Sequence, residues 1–207
     1  MAEAHAAAAP AAGHPDTSLG LDNRKLGMWV FLASECMFFG SLITTYLLYK
    51  DSTGGAAGFG PGPREIFDIP FTSVSSFVLL MSSLTMVLAH HAALNRDERR
   101  MRSWLLATAM LGTVFIGGQV FEFTTFVHEG MTLTTSPFSS SFFVLTGFHG
   151  THVTIGILLL LGLYSMSRLG RLPVEDDVRI DMIALYWHFV DIVWIVIFTF
   201  VYLIPVG

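Results

Sequence analysis

Six ionisable side chains stand inside strongly apolar sequence: Glu35, Glu122, His149, His152, His188 and Asp191. Their spacing allows two kinds of chemistry. His149 and His152 are three residues apart, as are His188 and Asp191, and Trp187 and Asp191 are four apart. Such pairs share one face of a helix. Two histidines on one face could bind a metal ion or a haem, but a closed site needs further ligands at the same depth. At 1.5 Å of rise per residue, His188 lies on the order of 8–14 Å from the level of His149 and His152. That mismatch argues against a shared ion and leaves the second chemistry, hydrogen bonding and proton holding. Glu122 and His149 fall at similar depths, which predicts a bond between them.

Glu35 is the outlier. It lies within Leu26–Tyr49, bracketed by Arg24, Lys25 and Lys50, and its neighbours Phe31, Leu32, Phe38 and Phe39 are apolar. A bilayer core of ~30 Å takes roughly 20 residues of helix, so this run can span it. Glu35 would then sit ~14 Å deep, at a depth where no partner is apparent. An acid there is a functional-site hypothesis by default. Two readings stand: a protonatable group with a role in transfer, or a protonated side chain bonded to a nearby backbone carbonyl.

Four further apolar runs follow, at about residues 71–91, 104–127, 142–166 and 183–204. The expected fold is therefore all-α, a polytopic membrane bundle of five transmembrane helices over residues 26–207. Composition agrees. Of the 207 residues, 53% are hydrophobic and 13% charged, against ~25% charged in soluble domains. No nucleotide loop, nucleophile–base arrangement or cysteine cluster is present, and the net charge of −5 is spread over tails and loops, so no nucleic-acid partner is expected. Cys36, alone of its kind, is expected to be a small buried hydrophobe.

The basic residues fix an expected orientation. Arg24 and Lys25, then Arg96, Arg99, Arg100 and Arg102, then Arg168, Arg171 and Arg179 fall on one side of a five-span chain. Only Lys50 and Arg64 fall on the other. The positive-inside rule puts the N-terminus in the cytoplasm and the C-terminus outside. Residues 1–25, rich in Ala and Pro, are expected to be a disordered tail. His90 and His91 end the second span as interfacial histidines, and His128 and Glu129 fall in an outer loop. Ser73, Ser76, Ser83 and Thr85 are expected to bond back to their own helix.

Several stretches together resemble one family. Ala33–Phe39 (ASECMFF), Ala89-His90-His91, Gln119–Phe123 (QVFEF), Thr146–Val153 (TGFHGTHV) and Tyr186–Trp194 (YWHFVDIVW) are similar, in order and spacing, to subunit III of haem–copper oxidases. The resemblance covers about residues 26–204. It implies an accessory subunit of a proton-pumping terminal oxidase in an aerobic respiratory chain of a bacterial inner membrane. Such a subunit has no haem or copper of its own; those belong to partner subunits. It packs on subunit I, belongs with subunit II and other subunits, within reach of a respiratory supercomplex, and binds phospholipid between its helices. It supports proton uptake and protects the catalytic subunit.

By the same resemblance, Glu35 matches the family's carbodiimide-reactive glutamate. Glu122 and His149 match polar residues inside the bundle near the lipid cleft. His90, His91, His152, Trp187, His188 and Asp191 complete the interior and cleft candidates. The chain lacks the two N-terminal helices of seven-helix members. Ser34-Glu35, Ala89-His90-His91 and Gly147-Phe148-His149 are closer to cytochrome c oxidases than to quinol oxidases, which have a similar five-helix subunit. A membrane electron carrier would instead bind haem, and a transporter would show an inverted repeat, which the chain does not.

Overall fold

The computed structural model describes residues 22–50, 68–172 and 177–204. Most of the N-terminal tail and the Gly-rich first loop lie outside these residues. Five helices, each long and apolar enough to cross a membrane, account for nearly all the rest. They are α1 (Asn23–Lys50), α2 (Ile69–Leu94), α3 (Glu98–His128), α4 (Pro137–Arg168) and α5 (Asp177–Phe198), the last continuing into a π-helical segment, Thr199–Leu203. The helices outrun the apolar stretches because charged and polar residues extend them at the ends: α3 begins at Glu98 and includes His128, with Glu129 as its C-cap.

Local chemistry sets the boundaries. Asp68, Asp97 and Ser136 cap α2, α3 and α4 by accepting the backbone N–H of Phe71, Arg100 and Ser139. Such caps satisfy N–H groups that have no partner within the helix. Pro70 and Pro137 start α2 and α4, where their missing N–H costs nothing. At the other ends, Arg96, Gly130 and Gly170 adopt positive φ (57°, 89° and 65°). The next N–H then turns back onto Ala92, Phe126 and Met166 respectively, a left-handed stop that closes the last turn.

Helices α2, α3, α4 and α5 form a ring, each packed on the next and α5 returning to α2. Helix α1 lies outside that ring, against α4 and α5. It buries 11% of its most apolar window, whereas the last span, Val178–Leu203, buries 50%. One seam of α1 faces inward: Leu32, Phe39 and Tyr46, seven residues apart. That is the repeat expected where two helices meet along a line. Much of the opposite face of α1 is exposed, including Cys36. The expected burial of Cys36 is therefore incorrect, because it lies off the 32–39–46 seam.

Glycine lets the ring close around an indole. Trp187 is fully buried, and a Cβ on Gly112 or Gly156 would stand 2.6 or 2.8 Å from its ring. Its Nε1–H donates to Ser82 Oγ at 2.9 Å, and Trp194 Nε1–H donates to Ser76 Oγ at 2.8 Å. Each serine passes its own proton back to its helix, to Leu79 and Thr72 carbonyls. In lipid this matters, since no water is present to take an unpaired donor.

Lys50, which the sequence offered only as a flanking cation, is 4% exposed. Its Nζ donates to the carbonyls of Phe200 (2.9 Å) and Ile204 (2.6 Å). Those carbonyls belong to the π-helical end of the chain, so one ammonium ties the last residue of α1 to the end of the bundle.

Candidate functional site

Glu35 does have a partner, contrary to the expectation that none lay at its depth. His152 Nε2 on α4 lies 3.3 Å from Glu35 Oε2 on α1, with side chains 14% and 18% exposed. Depth counted along single helices does not reveal this partner, because it is the packing of α1 against α4 that brings His152 alongside Glu35. The partner ring nitrogen fixes the chemistry. His152 Nδ1 lies 2.8 Å from the Phe148 carbonyl, which can only accept, so Nδ1 carries a hydrogen. A neutral ring then turns a bare lone pair toward Glu35. The contact is attractive only with one further proton, held by the carboxyl or by Nε2.

The surroundings restrict that proton. The Phe39 ring lies 5.0 Å from the His152 ring, edge on. Phe38 packs edge on against Phe148 at 5.2 Å. Tyr186 Oη donates to the His152 carbonyl at 3.0 Å and its ring stacks on Phe31. The pair thus sits at a junction of α1, α4 and α5, walled by aromatic rings.

The predicted Glu122–His149 bond is not formed. Glu122 accepts a hydrogen bond from Thr72 Oγ1 on α2. His149 stacks on Trp194, with centroids 4.9 Å apart and planes 25° from parallel. Phe115 and Phe39 meet it edge on, and neither of its ring nitrogens has a hydrogen-bond partner among the described residues. Glu122 turns toward α2 because α2 is a principal neighbour of α3, and His149 turns into the ring centre between α3 and α5. Gln119, one turn before Glu122, donates to the Thr146 carbonyl instead.

The remaining candidates divide between two ends. His90 Nε2 lies 3.6 Å from Asp181 Oδ1, and Lys25 forms an ion pair with the other oxygen of the same carboxylate. That cluster joins α1, α2 and α5 at their basic ends, so His90 is more than a surface histidine. His91 is exposed and meets the Asn95 amide one turn on. His188 Nδ1 meets Ser83 Oγ at 2.7 Å; of the serines and threonine expected to bond back, Ser73, Ser76 and Thr85 do and Ser83 reaches across. Asp191 is 3% exposed, and neither of its oxygens has a hydrogen-bond partner among the described residues. Among the described residues no three His, Cys, Asp or Glu side chains converge as a metal would require.

An antiparallel ring of four membrane helices, a fifth helix strapped outside it, and a carboxyl–imidazole pair at the strap define a polytopic membrane protein. The sequence pattern of the family described as cytochrome c oxidase subunit III matches residues 11–206, and the chain belongs to that family. Cytochrome c oxidase subunit 3 of Bacillus sp. (strain PS3) is 41% identical over 194 residues, which cover 94% of this chain and 92% of that protein. Quinol oxidase subunit 3 of Bacillus subtilis (strain 168) is also 41% identical, over 88% of this chain and 87% of its own. Cytochrome bo(3) ubiquinol oxidase subunit 3 of Pseudomonas aeruginosa is 38% identical over 87% and 85%. The family is that of haem–copper oxidase subunit III, and its members here include both cytochrome c and quinol oxidases.

Proposed function

We propose that the chain is a non-redox accessory subunit of a proton-pumping terminal oxidase in a bacterial inner membrane, with its N-terminus cytoplasmic. Haem and copper belong to the partner subunits, and subunit I is the main contact, with subunit II and the other subunits of the complex around it. The Glu35–His152 pair carries this reading. It is a proton-holding group placed where the exposed helix α1 joins the ring, so it serves both proton supply and assembly. Open apolar positions along α1, such as Trp29, Val30, Met37 and Leu48, suit a partner helix or lipid. Between the outer halves of α1 and α4, a groove of about 300 Å³ lined by Leu42, Thr45, Tyr49, Ser140 and Val144 suits a phospholipid chain.

Cytochrome c is the proposed donor, on the Ser34-Glu35, Ala89-His90-His91 and Gly147-Phe148-His149 details. The quinol reading has equal identity to the Bacillus subtilis quinol oxidase subunit in its favour. Purification of the intact complex in mild detergent tests all of this together. Its turnover with reduced cytochrome c against quinol decides the donor. A complex that loses this chain but keeps its haem spectrum, while its activity decays faster during turnover, supports the accessory role. Haem lost in proportion to the chain overturns it.

A further inference from the structure

Helices α2 and α5 meet along a polar seam with a seven-residue repeat. On α2 it comprises His90, Ser83 and Ser76; on α5 their partners are Asp181, His188 and Trp194, at 3.6, 2.7 and 2.8 Å. Apolar side chains would pack two antiparallel helices at less cost, since polar groups at this depth are expensive in lipid. The Ser76 rung is closed, each donor having an acceptor. The other two rungs are less buried. His90 and Asp181 are 30% and 27% exposed at the end where Lys25 joins them, and the Ser83–His188 rung is half-buried.

Just beyond that rung lies Asp191, one turn along α5 from His188. Its carboxyl faces the Ser83 hydroxyl without closing to hydrogen-bond geometry, and both its oxygens are buried with no hydrogen-bond partner among the described residues. An unsatisfied buried group of this kind calls for an explanation. No rung on α4 or α3 supplies it: His149 lies across the Trp194 ring, and Glu122 is engaged by Thr72 beyond Ser76.

We propose that this seam is a proton-exchange path that ends at Asp191. It opens at the basic end beside His90, Asp181 and Lys25. Between His90 and His188 lie two helical turns, about 10 Å, which water entering at the exposed mouth would bridge. A proton bound at His188 Nε2 is balanced by release of one from Nδ1 to Ser83 Oγ. Ser83 passes its own hydroxyl proton to an Asp191 carboxylate oxygen. Each relay ends with the protons it began with, and Asp191 gains one. The path is separate from the Glu35–His152 pair, and it holds whichever donor reduces the oxidase.

Infrared spectroscopy of the intact complex in lipid nanodiscs tests this. The band of a protonated carboxyl is assigned to Asp191 by its loss in Asp191→Asn and its shift in Asp191→Glu. On transfer to D2O, the expected exchange of this band in wild type slows at least tenfold in Ser83→Ala and His188→Phe, with the band itself retained. Ser83→Thr, which keeps a hydroxyl, restores the rate, and His188→Phe carries the comparison if Ser83→Ala does not assemble. No band that responds to both Asp191 variants, or equal exchange rates in wild type, Ser83→Ala and His188→Phe, overturns the proposal.

Discussion

Glu35 Oε2 and His152 Nε2 face each other at 3.3 Å across the boundary between α1 and α4. Because His152 Nδ1 already gives its hydrogen to the Phe148 carbonyl, the two facing atoms share one proton or repel. A hydrophobic carbodiimide, which reacts with protonated acids, is expected to label the wild-type chain and not Glu35→Gln. Equal labelling would refute the assignment. In a double-mutant cycle with His152→Phe, the coupling energy for detergent stability is expected at about 1 kcal/mol, near the upper part of the range for polar pairs between membrane helices.

Much of the fold was legible because a bilayer leaves few choices. Runs of some twenty apolar residues must be helices, and the arginines of the α2–α3 turn and of the basic ends mark where they stop. Pairing was not legible. Helical period puts Glu122 and His149 on definite faces of their own helices, but not which neighbour those faces meet, and α2 rather than α4 claimed Glu122. Ser82 and Ser83 look alike in sequence. One receives the Trp187 indole, the other His188, and only the α2–α5 register separates them.

The glycines of α3 and α4 are not equivalent. Gly156→Ala would put a methyl 2.8 Å from Trp187, while Gly147 has open space around it. Overpacking a closed core costs about 1–3 kcal/mol, whereas Ala for Gly in an open helix gains up to about 1 kcal/mol. Thermal unfolding of the complex is expected to shift down in Gly156→Ala and to hold or rise slightly in Gly147→Ala. Equal shifts would show that Trp187 is free to move.

Lys50 is expected to matter to the C-terminal end more than its place at the end of a span suggests. Lys50→Met keeps the stem length and removes the donors to Phe200 and Ile204. A charged hydrogen bond is worth about 1.5–3 kcal/mol, and the Phe200 and Ile204 carbonyls would each lose one. Protease cleavage beyond residue 198 is expected to rise at least tenfold, without change in cleavage of the α2–α3 turn. An unchanged C-terminal rate would mean that the lysine caps nothing.

Glu122 offers a sharper test, because two partners were available and the fold chose one. Thr72 Oγ1 donates to it from α2, and a membrane-buried carboxyl that loses that donor has no water to turn to. Thr72→Val preserves shape and is expected to cost about 1 kcal/mol in the wild-type background and almost nothing beside Glu122→Gln. The same cycle between Glu122 and His149 is expected to return no coupling, since His149 is held by the face of Trp194 and the edges of Phe115 and Phe39. A coupling of 1 kcal/mol or more between Glu122 and His149 would mean that the two carry a bond in the assembled complex, with α3 turned toward α4 rather than α2.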